Sequence, residues 1–143
     1  MFDPSQADVR RFFCEAWRKQ LDARPLTPLE AIAADWVTQH PEYHAALASL
    51  EDALAADYGP HTGRENPFLH LSMHLAISEQ LGVDQPPGIL AAHDRLARRV
   101  GAHAAAHEVM ECLGEMLWRA QRDAAPPDGN AYVECVRRRA GGS

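Results

Sequence analysis

Apolar residues recur every three or four positions along most of the chain, the period of a helix with one buried stripe. No segment shows the period of two that marks a half-buried strand. The stretch Asn66–Gly82 departs from the stripe by being apolar on nearly every side, as a helix surrounded by other helices is. Asn66 is suited to cap its free N–H groups, Pro67 fits the first helical position, and Gly82 is placed to end it in the left-handed conformation. At 100° per residue His70, His74, Ile77 and Leu81 share one narrow arc, so two imidazoles stand one turn apart beside two aliphatic side chains.

The remaining elements follow from the same pattern. Asp3 or Ser5 caps a first helix, with Pro4 in its first turn, that reaches about Arg24 and turns Val9, Phe12, Phe13, Ala16, Trp17 and Leu21 inward. Thr27-Pro28-Leu29-Glu30 is a capping box opening a second helix to about Gln39, with Leu29, Ile32, Ala33, Trp36 and Val37 inward. Pro41 disfavours helical geometry at His40 and opens a third helix to about Asp57. Residues 58–65, with Gly59, Pro60 and Gly63, read as a loop in which His61 is solvated. A fifth helix ends at Gly101, a sixth spans about His103 to Asp123, and Asp128 caps a seventh. The expectation is a single all-α domain over residues 1–143, a bundle of six or seven helices with short loops and a flexible tail from about residue 138.

Composition narrows the function classes. A chain of 143 residues with 46% hydrophobic and 24% charged residues is ordinary for a globular domain. Its net charge of −6 argues against binding nucleic acid through phosphates, and Arg137-Arg138-Arg139 reads as the solvated C-terminal turn of a helix. No run approaches the roughly 20 apolar residues of a membrane span, and the opening Met1-Phe2-Asp3-Pro4 suggests a cytoplasmic protein. Cys14, Cys112 and Cys135 are odd in number and scattered, so the expectation is reduced thiols. No partner is specified by the sequence, and a homo-oligomer is compatible with it.

Chemistry concentrates in histidine and glutamate. The sixth helix carries His103, His107, Glu111 and Glu115 at four-residue intervals, with His107 at the margin of its apolar arc. Short loops make neighbouring helices antiparallel, so the fourth and sixth helices are expected to run parallel. His70 and His107 then lie at one height, and His74 and Glu111 one turn deeper. Packed helices stand about 8–10 Å apart, a span that inward side chains and one ion can bridge. His70, His74, His107 and Glu111 thus form a candidate ligand set for one divalent metal, zinc or iron, with His44 and Glu115 as further candidates. His40 and His44 have H-x-x-x-H spacing, but the proline between them discounts the pair.

Competing chemistries lack their residues. There is no nucleophile elbow, no glycine-rich phosphate loop and no H-E-x-x-H, and Cys112 lies on an apolar arc as a packed thiol would. The alternative to a metal is a non-catalytic structural or interaction module whose buried histidines are hydrogen-bonded to carboxylates.

The blocks His40-Pro41-Glu42-Tyr43-His44, Asn66-Pro67-Phe68-Leu69-His70 through His74 and Glu79-Gln80, Asp84-Gln85-Pro86-Pro87-Gly88 and Met110-Glu111-Cys112-Leu113-Gly114-Glu115 together resemble a small bacterial family catalogued only as a domain of unknown function. That resemblance implies no activity, ligand or catalytic residue. In ligand type the chain is also similar to hemerythrin-like bundles, which hold two irons, and to damage-inducible bundles, which hold a divalent metal with three histidines. The hemerythrin-like pairs occur here in the opposite order, and a later His-and-Asp helix is lacking.

Overall fold

The computed structural model describes residues 5–141. Its described regular structure is entirely helical, as the patterning predicts: α1 Gln6–Leu21, α2 Pro28–Thr38, α3 Leu50–Ala55, α4 Pro67–Val83, α5 Ile89–Val100, α6 Ala102–Asp123 and α7 Gly129–Arg139, with short 3-10 turns at Pro41–Tyr43 and Pro60–Thr62. The chain divides into two compact units, Met1–Leu75 and Ala76–Ser143, the boundary falling within α4.

In the first unit α1 packs on α2 and α3. Ser5 forms a capping box with Asp8, and Thr27 forms the expected one with Glu30. The Asp3 and Pro4 alternative lies outside the described residues. Phe13, Ala16, Trp17, Ala33, Val37, Tyr43, Leu47, Phe68 and Leu71 form the core. Three expected core residues depart from the pattern: Leu21 is 59% exposed, and Leu29 and Ile32 lie at the surface. Leu21 is the last residue of α1, where the chain turns away through Asp22 and Ala23.

A charged residue is buried instead. Arg10 donates from Nη1 to the carbonyls of Ala53 at 2.9 Å and Ala56 at 2.8 Å, while its guanidinium lies over the Tyr58 and Phe68 rings. The last carbonyls of a helix have no partner within it, and this cation supplies one at the end of α3.

The expected long third helix is broken. After the 3-10 turn at Pro41–Tyr43 the chain makes turns through Ser49, whose hydroxyl then caps α3 by accepting from the Asp52 N–H at 3.3 Å. His44 and Leu47 explain the break. The His44 Nε2–H donates to the Val37 carbonyl at 2.9 Å, and Leu47 is buried, so tertiary contacts outweigh helix propensity between them.

At the start of α4 the Asn66 side chain accepts from the N–H groups of Phe68 and Leu69, as the sequence predicts. Its end differs. Gly82 stays helical, and Asp84 takes the left-handed conformation at φ 50°, its carboxylate accepting from the N–H groups of Gly88 and Leu90. An aspartate tolerates this region because its short side chain bonds locally.

In the second unit α5, α6 and α7 pack on one another around Ile89, Leu96, Val109, Leu113, Tyr132 and Val136. The Tyr132 hydroxyl donates to Gln80 Oε1 at 2.6 Å, which satisfies a buried phenol. Cys112 of α6 and Cys135 of α7 form a disulfide with Cα atoms 5.9 Å apart; Cys14 is buried and free. This corrects the expectation of three reduced thiols. Pairing depends on two helix faces meeting, which cysteine number and spacing do not record. Residues 138 and 139 belong to α7 rather than to a tail, and residues 142–143 lie outside the described residues. Among the described residues no helix is long and apolar enough to cross a membrane.

Candidate metal centre

The first unit gathers three histidines from two places in the chain. His70 and His74 come from α4, one turn apart, and His40 from the junction between α2 and the 3-10 turn. Pro41 holds His40 out of helical geometry, at φ −124° and ψ 66°, and its ring is buried. One ring nitrogen from each of the three lies within 4.8 Å of the others. His40 and His74 are 3% and 1% exposed, so their imidazoles sit where unpaired polar groups are costly.

A hydrogen bond fixes which nitrogen of His40 carries the lone pair. His40 Nδ1 lies 2.7 Å from the Trp36 carbonyl oxygen. A carbonyl only accepts, so Nδ1 carries the proton, and Nε2 of the neutral ring holds the lone pair. His70 Nε2 and His74 Nε2 are 3.2 Å apart. At a zinc–nitrogen distance of about 2.0–2.1 Å, two ligands of a tetrahedral site stand about 3.3 Å apart. The His70–His74 separation is close to that edge. The other separations, none above 4.8 Å, need to close by at most about 1.5 Å.

The surroundings restrain these rings. His74 stacks on Trp36 with centroids 4.0 Å apart and planes 12° from parallel, and His40 stacks on Tyr43 at 5.3 Å and 3°. His70 Nδ1 lies 3.5 Å from Glu65 Oε1, which also accepts from the Tyr43 hydroxyl at 2.7 Å. Burial, and then this carboxylate, raise the Tyr43 pKa well above the usual phenol value.

The sequence candidates take different places. His70 and His74 are together, as their spacing requires. His44 is not among the clustered histidines: its ring packs on Trp17 at 4.6 Å while Nε2 serves the Val37 carbonyl. His107, Glu111 and Glu115 lie on α6 in the second unit. His107 Nδ1–H donates to the His103 carbonyl at 3.1 Å. The Glu111 carboxylate is 65% exposed and accepts from Arg139, and Glu115 pairs with Arg119 at 2.7 Å. Helical spacing does not point to His40, Tyr43 or Glu65 as site residues. A usable signal was the histidine before Pro41, forced out of the helix next to a tryptophan and a tyrosine.

No curated protein and no solved structure matches the chain, so the likeness to hemerythrin-like and damage-inducible bundles is one of ligand type alone. A family model does match, over residues 5–138, nearly the whole length. The chain belongs to the family described as a domain of unknown function, DUF1841.

Proposed function

We propose that this protein binds one divalent transition-metal ion through His40, His70 and His74. The observation that carries the reading is the approach of three imidazole nitrogens from separate turns, with the His40 tautomer set by the Trp36 carbonyl. Metal-bound histidines characteristically donate the other ring N–H to a carbonyl or carboxylate, which His40 does. An all-imidazole set suits zinc, iron(II) and their neighbours in the first transition row rather than calcium or magnesium.

His107, expected from the sequence as a ligand, gives its Nδ1–H to the His103 carbonyl, which leaves the lone pair on Nε2. Four protein ligands make a closed, structural site, whereas three leave a position for water and reaction chemistry. Glu111 is left out of the proposed set because it holds Arg139 at an exposed position.

One observation favours a second reading. A separation of 3.2 Å between His70 and His74 is also a hydrogen bond between two neutral imidazoles, as a metal-free core would need.

Titration of untagged protein with zinc against a chromophoric chelator separates these readings. The metal reading predicts one equivalent bound, and at least about tenfold weaker binding for each of His40→Ala, His70→Ala and His74→Ala. His107→Ala weakens binding if His107 is a ligand and leaves it unchanged if the position is open. A parent that binds no zinc, iron(II) or manganese(II) at the titration concentrations supports the hydrogen-bonded core.

A further inference from the structure

We propose that Glu65 is a positioning residue for the metal centre, holding His70 through Nδ1 so that Nε2 presents its lone pair to the ion. The proposal rests on the metal reading above and adds to it a residue that touches no ion.

The chain places Glu65 for this task. Asn66 fixes the first turn of α4 by accepting from Phe68 at 3.0 Å and Leu69 at 3.2 Å, which sets the residue before it at the mouth of the helix. Helical side chains lean back toward the N-terminus, so His70, one turn in, leans toward that mouth. The two meet, with Nδ1 3.5 Å from Oε1. Glu65 is itself held from the other side by the Tyr43 hydroxyl, donating at 2.7 Å to the same oxygen. Tyr43 in turn stacks on His40. Two of the three proposed ligands are therefore tied to one Tyr–Glu pair.

The chemistry explains the geometry. A carboxylate only accepts, so it retains the proton on Nδ1 and makes Nε2 the ligating nitrogen. Its negative charge also makes the imidazole a better donor to a cation. Such outer partners typically contribute tenfold to a hundredfold in metal affinity. Glu65 is 65% exposed and His70 18% exposed, so this pair forms the solvent side of the cluster, where His40 and His74 are closed off.

Zinc affinity by chelator competition, together with the melting temperature of each protein in excess chelator, tests the assignment. Glu65→Ala is expected to weaken zinc roughly 10- to 100-fold while the metal-free melting temperature stays near that of the parent. Glu65→Gln keeps an acceptor oxygen without the charge, and its affinity falls between the two. Tyr43→Phe keeps the stack on His40 and loses the hydroxyl, with roughly a 2- to 10-fold loss. Cobalt(II) absorption provides an independent readout, since a turned His70 changes the ligand-field bands and a purely structural role does not. If the parent binds zinc with one-to-one stoichiometry and Glu65→Ala binds as tightly with the same cobalt spectrum, the role of Glu65 is refuted and the metal site stands. A fall in metal-free melting temperature without loss of affinity refutes it equally. If the parent binds no metal, both readings fall together.

Discussion

Replacing His74 by alanine separates a metal ligand from a core histidine, because the two roles respond differently to chelator. The side chain is 1% exposed, stacks on Trp36 and places Nε2 3.2 Å from His70 Nε2. Removing the stack costs about 0.5–1.5 kcal/mol, and orphaning a buried partner about 1–3 kcal/mol. Metal-free His74→Ala is therefore expected to be about 1.5–4.5 kcal/mol less stable than the metal-free parent. Bound metal adds a second difference. At free zinc 100 times Kd, a ligand that binds only the folded chain adds about 2.7 kcal/mol, or roughly 5–11 °C in melting temperature for a chain of this size. Chelator removes that increment from the parent and hardly moves His74→Ala. The assay is urea unfolding of both proteins, with zinc and with chelator, read by circular dichroism. His61→Ala is the control: His61 is exposed in its pair with Asp57, so its effect should stay within about 0.5 kcal/mol in either condition. A parent whose curve is the same in zinc and in chelator refutes the ligand role, even if His74→Ala is destabilised as expected.

Three other outcomes follow from the same geometry. His40→Ala should lower zinc affinity by at least about tenfold, while His44→Ala, which loses a bond to Val37, should leave stoichiometry and affinity unchanged. In denaturant without reductant, thiol titration should count one cysteine, Cys14, and three after reduction; opening Cys112–Cys135 should cost about 3–4 kcal/mol from the loop it closes. Lys19, at 2.8 Å, holds the Glu30 carboxyl below its usual range, helped by the Thr27 cap. A carboxyl with a lowered folded pKa adds stability above its unfolded pKa and loses it as pH falls through the folded value. Between about pH 6 and about pH 3 the parent should thus lose more stability than Lys19→Met in urea titrations.

Helices and their caps are legible in this sequence because their causes are local. Thr27 with Glu30, Asn66 with Pro67 and Asp128 at α7 each act within one turn, and each is found where the pattern places it. The i,i+4 spacing of His70 and His74 is local too, so half of the ligand pair geometry is readable. His40 is not, since its place depends on how the chain leaves α2 after Pro41 and folds back over α4. The break before α3 is hidden for the same reason: Tyr43 through Ala48 reads as helix, and bonds to Val37 and the burial of Leu47 turn it aside. Arg10 sits on the apolar stripe of α1 as a cation whose acceptors are 43 and 46 residues away, a distance no periodicity spans. The Cys112–Cys135 pair likewise exists because α6 and α7 turn particular faces to each other.

Imidazole nitrogens from His40, His70 and His74 are proposed to hold one metal ion. Zinc-edge X-ray absorption on untagged protein carrying one equivalent of zinc measures that shell directly. At least three nitrogen neighbours are expected at about 2.0–2.1 Å, with the outer-shell scattering of imidazole rings and no sulfur. A shell of oxygen neighbours alone, or zinc that is lost to a desalting column before the spectrum is taken, contradicts it.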